Sequence, residues 1–386
     1  MKQGWEIKKL GEISDFQGGS QPPKEEWISE PKNGYVRMLQ IRDFTKNNSL
    51  NIEYVKKSNR LKYCKEDDIL IGRYGASVGK ILTGLAGAYN VAIIKTIPNE
   101  TLINKSFFRH FLYAHSFQEF LQHVSKMRAA QAGFSKEDIQ EYQIPVPPLS
   151  EQERIVAELD LLSDVIAKKR EQLKQLDTLA QSIFYDMFGD PITNEKGWEQ
   201  VSLVDICKNT GVYGAGSSSI PKQPHRPRYI RITDILDSGD LNDDFVVSSN
   251  IEDDHTYRLN VGDILFARSG ATVGKTYLYR GKEAQIHAGY LIKFSLDILH
   301  VNPLFIFYIT KNRSYKLWIS NQIIGVAQPN INAQKYGKLP IILPPLPLQQ
   351  QFASKIESIE KQNELIKQSL SEVQQLFDNR MDYYFG

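Results

Sequence analysis

Two stretches of the chain repeat apolar residues at alternating steps of four and three. In the first, Ile155, Leu159, Leu162, Ile166, Lys169, Leu173, Leu176, Ala180, Ile183 and Met187 follow one another on those steps, with Lys169 the single polar member. In the second, Phe352, Ile356, Ile359, Asn363, Ile366, Leu370, Val373 and Phe377 do the same, with Asn363 polar. A repeat that averages three and a half residues is the seam of a coiled coil. Each pattern predicts a helix of about 38 residues, about 57 Å long at 1.5 Å per residue, longer than the face of one small domain can cover. A seam of that length needs an equally long partner, so the two helices are expected to pair with each other. Lys169 and Asn363 would then help to set register and orientation at some cost in stability. Spacing alone leaves the direction of pairing open: an antiparallel pair would put the flanking segments at opposite ends, a parallel pair side by side.

Outside the seams the periodicity changes. Val91-Ala92-Ile93-Ile94 and Tyr290-Leu291-Ile292-Lys293-Phe294 read as strands, and residues 106–124 and 303–319 read as helices, with Phe107, Phe111, Leu112 and Phe120 on the apolar side of the first. The first long helix has Ser150 as its expected N-cap and Glu153 to complete a capping box. The second opens Leu343-Pro344-Pro345-Leu346-Pro347-Leu348-Gln349 instead, so its start is expected to be capped less well.

These differences sit on a repeat that spans the chain. Gly4-Trp5-Glu6 returns as Gly197-Trp198-Glu199, an offset of 193. Val36 to Asp43 aligns with Tyr229 to Asp234 around a shared Ile-x-Asp, Asp68-Ile69-Leu70 with Asp263-Ile264-Leu265, and Arg73 with Arg268. Gln131 and Pro147-Pro148-Leu149 return as Gln328 and Pro344-Pro345-Leu346, the offset now 197. So small a drift means two copies of one domain. The expected fold class is α+β: mixed α/β domains at residues 1–148 and 190–345, each followed by a long helix, at residues 149–189 and 346–386.

Each copy carries a glycine loop, Gly75-Ala76-Ser77-Val78-Gly79-Lys80-Ile81 and Gly270-Ala271-Thr272-Val273-Gly274-Lys275-Thr276. It approaches the G-x-x-x-x-G-K-[ST] phosphate loop, in which four residues between the glycines let backbone N–H groups wrap a phosphate. Here only three residues intervene, Tyr74 and Ser269 stand where the first glycine belongs, and Ile81 replaces the metal-binding hydroxyl. A glycine-punctuated hairpin that lets backbone lie close to another surface fits better.

Composition narrows the class. The 386 residues suit two domains, and 41% hydrophobic with 24% charged residues describe a folded, soluble protein. The start has no leader-like apolar core, and no run approaches the roughly 18 apolar residues of a membrane span, so a cytoplasmic protein without a membrane role is expected. Cys64 and Cys207 do not correspond between the copies and read as reduced core residues, the seven histidines show no zinc spacing, and the H-E-x-x-H hydrolase motif is absent.

Charge divides the chain by region. Residues 150–189 are net −3 and residues 347–386 net −2 in a chain of net +2, which leaves +7 on the domain copies. Basic residues there sit beside aromatic or polar groups, at Lys56-Lys57-Ser58-Asn59-Arg60, Arg73-Tyr74, Lys126-Met127-Arg128, His225-Arg226-Pro227-Arg228-Tyr229 and Arg313-Ser314-Tyr315-Lys316. Two basic modules held a fixed distance apart suit duplex DNA.

Taken together, Ile144-Pro-Val-Pro-Pro-Leu-Ser-Glu-Gln-Glu-Arg-Ile155 with its helix, the two Gly-Trp-Glu starts and the glycine hairpins make the whole chain similar to the specificity (S) subunit of type I restriction–modification systems. The resemblance implies two target recognition domains, each reading half of a split, asymmetric DNA sequence. It implies that the helices pair antiparallel, as spacer and as docking surface for two methyltransferase (M) subunits, with restriction (R) subunits joining them. It implies no catalysis and no cofactor in this chain, with S-adenosylmethionine, ATP and Mg belonging to the partner subunits. Candidate DNA-binding residues are Arg73, Tyr74 and Lys80 with Arg268 and Lys275 at the hairpins, and Arg60, Arg128, Arg226 and Arg228 in the diverged basic clusters. Arginine suits a bidentate guanine contact and lysine a phosphate. Two alternatives stay open: a coiled-coil scaffold with no DNA role, and an S-adenosylmethionine-dependent methyltransferase, for which Val212-Tyr213-Gly214-Ala215-Gly216 would be the glycine turn and Asp234 the downstream acid.

Overall fold

A computed structural model describes residues 4–45, 51–127, 132–251, 255–324 and 328–386. Arg128 and Gln131, both singled out in the sequence, lie outside the described residues. The chain forms two compact units, Met1–Arg170 with Gln368–Gly386, and Glu171–Lys367. The long helices span Leu149–Phe188 and Leu346–Phe385, so each unit holds one half of each helix, and the division cuts across the four consecutive segments expected from the sequence.

In the first unit a four-stranded sheet is ordered Ser14–Gly18, Ile93–Pro98, Leu70–Gly72, Ile81–Leu82, with antiparallel neighbours. In the second unit the same order is Val212–Tyr213, Leu291–Ser295, Asp263–Ala267, Thr276–Leu278. Each sheet backs onto an aromatic core. In the first unit Phe16, Ile71 and Ile94 join Phe107, Phe111 and Phe117; in the second Phe266, Ile292 and Phe294 join Phe305, Tyr315 and Tyr336. A parallel pair recurs beside each sheet, Tyr35–Leu39 with Gly87–Tyr89 and Arg228–Ile230 with Gln285–His287. The expected strands are present but begin later, at Ile93 and Leu291.

Both expected helices are broken in two. The first becomes Lys105–Tyr113 and His115–Met127, interrupted at Ala114, whose ψ of 139° is extended. The Gln118 side-chain amide donates to the freed Leu112 carbonyl and to Gly79 O, which ties the break to the glycine hairpin. The second becomes Pro303–Ile309 and Arg313–Ile323.

The helix ends belong to the domain cores as well as to the seam. Ile155, Leu159, Met381, Tyr384 and Phe385 pack into the first core, and Ala180, Phe184, Phe188, Phe352, Ile356 and Ile359 into the second. Pairing is antiparallel in both units. Within the first unit Glu158 accepts from Arg380 Nε at 2.7 Å and from Tyr384 OH at 2.7 Å, and Arg170 donates to Gln374 at 3.2 Å. Within the second unit the rings of Phe184 and Phe188 lie 5.6 and 5.3 Å from that of Phe352. Ile166 is buried, whereas Leu162, Leu173, Leu176, Ile183, Ile366, Leu370, Val373 and Phe377 are half-buried, as two paired helices leave their flanks to water.

The Asn363 side-chain oxygen is buried with no hydrogen-bond partner among the described residues, which is the stability cost expected of a polar seam residue. Ser150 is not the cap expected of it, because the helix already begins at Leu149. Gln152 holds that start instead, fully buried, accepting from Asn104 N at 2.6 Å and donating to Leu102 O and Pro147 O at 3.1 and 2.8 Å. Gln349 does the same for the second helix, accepting from Asn302 N at 2.9 Å and donating to Pro344 O at 2.7 Å. The second start is therefore anchored by the same device as the first.

Candidate nucleic-acid interface

The glycine loops are tight hairpins at the rim of each sheet. Gly75 and Gly79 have φ of 58° and 80°, and Gly270 and Gly274 have φ of 68° and 88°, the left-handed region that favours glycine. Their amides are used inside the protein. Gly75 N–H donates to Ala132 O at 3.0 Å and Gly270 N–H to Pro329 O at 3.1 Å, while Gly79 and Gly274 donate to Gly72 O and Ala267 O. No ring of outward N–H groups is left to cradle a phosphate, so the loops are structural turns that present their flanking side chains. The suspected cofactor turn has an equally local cause: a Cβ on Gly214 would fall 2.2 Å from Ala288 O, so the close backbone alone requires glycine.

Arg73 and Arg268 leave the central strand at the same place, their backbone N–H groups bonded to Ala92 O and Tyr290 O. Each guanidinium lies on a tyrosine ring, Arg73 over Tyr74 at 4.9 Å and Arg268 over Tyr213 at 4.8 Å. Arg73 Nε donates to Phe134 O at 2.7 Å, whereas Arg268 Nε is buried with no partner among the described residues. Neither guanidinium meets a carboxylate among the described residues, so each arginine holds its charge unopposed at a half-buried rim. Tyr213, noted in the sequence only as part of a glycine turn, was missed as the partner of Arg268 because it stands far from it in the chain and only strand pairing brings them together.

The lysines of the two hairpins differ. The Lys80 side chain is exposed and makes no ion pair among the described residues. Lys275 reaches Asp237 Oδ1 at 2.9 Å and Ile235 O at 3.1 Å, and the ammonium holds the Asp237 carboxyl below the usual carboxylate range. In the first unit Gln40 N–H donates to Asp43, as Arg231 N–H does to Asp234, so the residue matching Asp237 is Lys46, which lies outside the described residues.

The diverged clusters separate into exposed and committed residues. Arg60 is exposed on a turn. Arg226 donates to Ser249 O and Ile251 O, both at 2.9 Å, so its guanidinium holds two loop carbonyls. Arg228 is 6% exposed and bonded to Asp243 at 2.6 Å and Asn242 O at 2.7 Å; it braces the fold and presents little charge outward. Burial pushes the Cys64 thiol up to about 11 and Cys207 to about 12, which leaves both protonated and unreactive. Among the described residues no His, Cys, Asp and Glu group could hold a metal, and no helix is long and apolar enough to cross a membrane.

A family model described as the type I restriction modification DNA specificity domain matches residues 2–177 and again residues 195–375. Two specificity subunits of type I restriction enzymes from Methanocaldococcus jannaschii, MjaIX and MjaVIII, are 22% and 21% identical, over 92% and 96% of this chain and 86% and 90% of theirs. The S subunit of a type I restriction-modification system from M. genitalium shares the fold with a TM-score of 0.60 at 15% identity, over 99% of this chain and 96% of that one. A chain from work on complex assembly and conformational transition of the type I R-M system aligns with a TM-score of 0.55 at 17% identity, over 99% and 97%.

Proposed function

The chain belongs to the type I restriction–modification DNA specificity family, and from that premise we propose how its two domains divide the reading of DNA. As a specificity subunit it recognises DNA and leaves catalysis to other subunits. Each domain reads one half of a split, asymmetric target. Arg73 and Arg268 make the base contacts, each held by its tyrosine for a bidentate approach to guanine in the major groove. Lys80 and Arg60 take backbone phosphates in the first half-site. Lys275, already paired with Asp237, carries less of that load in the second.

The observation that supports this most is the recurrence of one arginine, at one place on one sheet, seated on a tyrosine in both units. The paired helices fit the docking of two methyltransferase subunits, to which restriction subunits join. Leu161, Leu179, Leu365 and Leu376 on them are exposed apolar residues of the kind a partner covers.

The test is selection of duplex DNA from a randomised pool by the chain co-expressed with its methyltransferase subunit at physiological salt. A split, non-palindromic consensus is expected, and Arg268→Ala should relax one position of one half only. A single continuous site or no enrichment would overturn the two-reader model in favour of a scaffold. An unchanged consensus with Arg268→Ala would remove the arginines from it.

A further inference from the structure

The tyrosine beneath the arginine comes from a different element in each unit. In the first it is Tyr74, the residue after Arg73, where the second unit has Ser269 after Arg268. In the second it is Tyr213, on the neighbouring strand. Strand register identifies what the first unit has at that place. Ile71 pairs with Ile94, which pairs with Gly18, while Phe266 pairs with Ile292, which pairs with Tyr213. Gly18 therefore stands where Tyr213 stands, and a Cβ built on it would meet Arg73 Nη1 at 3.8 Å. Among the described residues each unit has one ring at this site, supplied by Tyr74 in the first and by Tyr213 in the second.

From this exchange we infer that Tyr74 and Tyr213 are specificity-determining positioning residues: the element that supplies the ring sets the direction in which the arginine is presented to a base pair. A guanidinium is planar and its donors lie in that plane, so the surface it stacks on selects the plane in which it can bond. In the first unit the orientation is held twice, by Tyr74 and by the Nε bond to Phe134 O. In the second the ring is itself fixed, because Tyr213 OH accepts from Ala333 N at 3.0 Å, but among the described residues Nε has no acceptor to add to the stacking. The second arginine depends more on its tyrosine than the first. This inference rests on the reading of Arg73 and Arg268 as base contacts.

The experiment exchanges the arrangements in the full chain, assembled with its methyltransferase subunits and given a randomised duplex pool. Tyr213→Gly with Ser269→Tyr moves the ring of the second unit, and Gly18→Tyr with Tyr74→Ser moves that of the first, at a glycine whose φ does not demand one. Each exchange is expected to change the preferred base at one position of its own half-site and leave the other half-site as it was. Tyr213→Leu should weaken discrimination at that position about tenfold, and Tyr213→Phe, which keeps the ring, should restore it. The untouched half-site reports that the chain is folded and assembled in every variant. Unchanged preferences in both exchanges, while Arg268→Ala erases the position, would overturn the role of the tyrosines and leave the arginine reading intact. An unchanged preference in Arg268→Ala would overturn the arginine reading, and the role of the tyrosines with it.

Discussion

The two units build one sheet with two sets of side chains, and they agree where a side chain answers the backbone. Gln152 and Gln349 each satisfy the loop that leads into a domain helix and the carbonyl before a long helix. At Tyr89 and His287, which occupy equivalent places on the parallel strand, the chemistry differs but the partner does not. The tyrosine hydroxyl donates to Gln17 O at 3.2 Å, and His287 Nε2 lies 3.2 Å from the equivalent Val212 O. They part company at the rim, where Lys80 is exposed and Lys275 is paired, and where the ring under the arginine changes its origin. A buried backbone group has one acceptable answer, a hydrogen bond, whereas a rim facing a ligand can vary with the ligand.

The buried glutamines should show the largest loss on substitution. Gln152→Leu leaves three backbone groups unanswered and is expected to cost about 4 kcal/mol, and Gln349→Leu, which leaves two, about 3 kcal/mol. Denaturant unfolding of the full chain measures both, and equal, small losses would show that the bonds do not anchor the helices.

Acid should separate the units next. Burial pushes His287 down to about 4 from 6.5, with Lys293 adding to the shift and the carbonyls of Tyr257 and Val212 opposing it. Between pH 6.5 and 4 the unfolded chain therefore binds a proton that the native chain does not, so stability falls through that window, by about 3 kcal/mol in total, and then levels. His110 of the first unit is shifted down by burial too, against an Asp160 carboxylate at 2.7 Å. His287→Tyr, which installs the residue of the first unit, should flatten the acid decline in the second. An identical pH profile for the variant would show that other groups cause it.

At the interface, Arg73→Ala or Arg268→Ala should cost about 2 kcal/mol of discrimination at one base pair, roughly thirtyfold, as measured by competition between duplexes that differ at that pair. The smallest effect distinguishes the lysines. Lys80→Ala should lower the slope of log affinity against log salt by about 1, and Lys275→Ala by less, because Asp237 already neutralises it. Equal slopes would mean that the Asp237 pair opens on DNA.

Much of this was legible along the chain. The heptads together with the Pro-Pro-Leu steps before them located both long helices, expected over residues 149–189 and 346–386 and found at Leu149–Phe188 and Leu346–Phe385, and the offset repeat placed Arg73 and Arg268 at equivalent positions because strand and hairpin lengths hardly change between copies. Ser150 misled because a serine three residues before a glutamate satisfies the capping pattern whether or not the helix has already started at Leu149. The repeat of Gln152 as Gln349, at the same 197 offset as the prolines, was the visible trace of the true anchor. Arg228 misled because a basic cluster in sequence looks alike whether its guanidinium faces solvent or Asp243.

Periodicity, the repeat and the family are legible from the chain because they depend on residue type and spacing within one segment or on comparing segments of equal length. Folding settles which charges are spent inside the protein and which ring Arg268 rests on. Tyr213 meets Arg268 through two steps of strand pairing, and hydrogen-bonded register across a sheet is a relation between distant segments that no local pattern encodes.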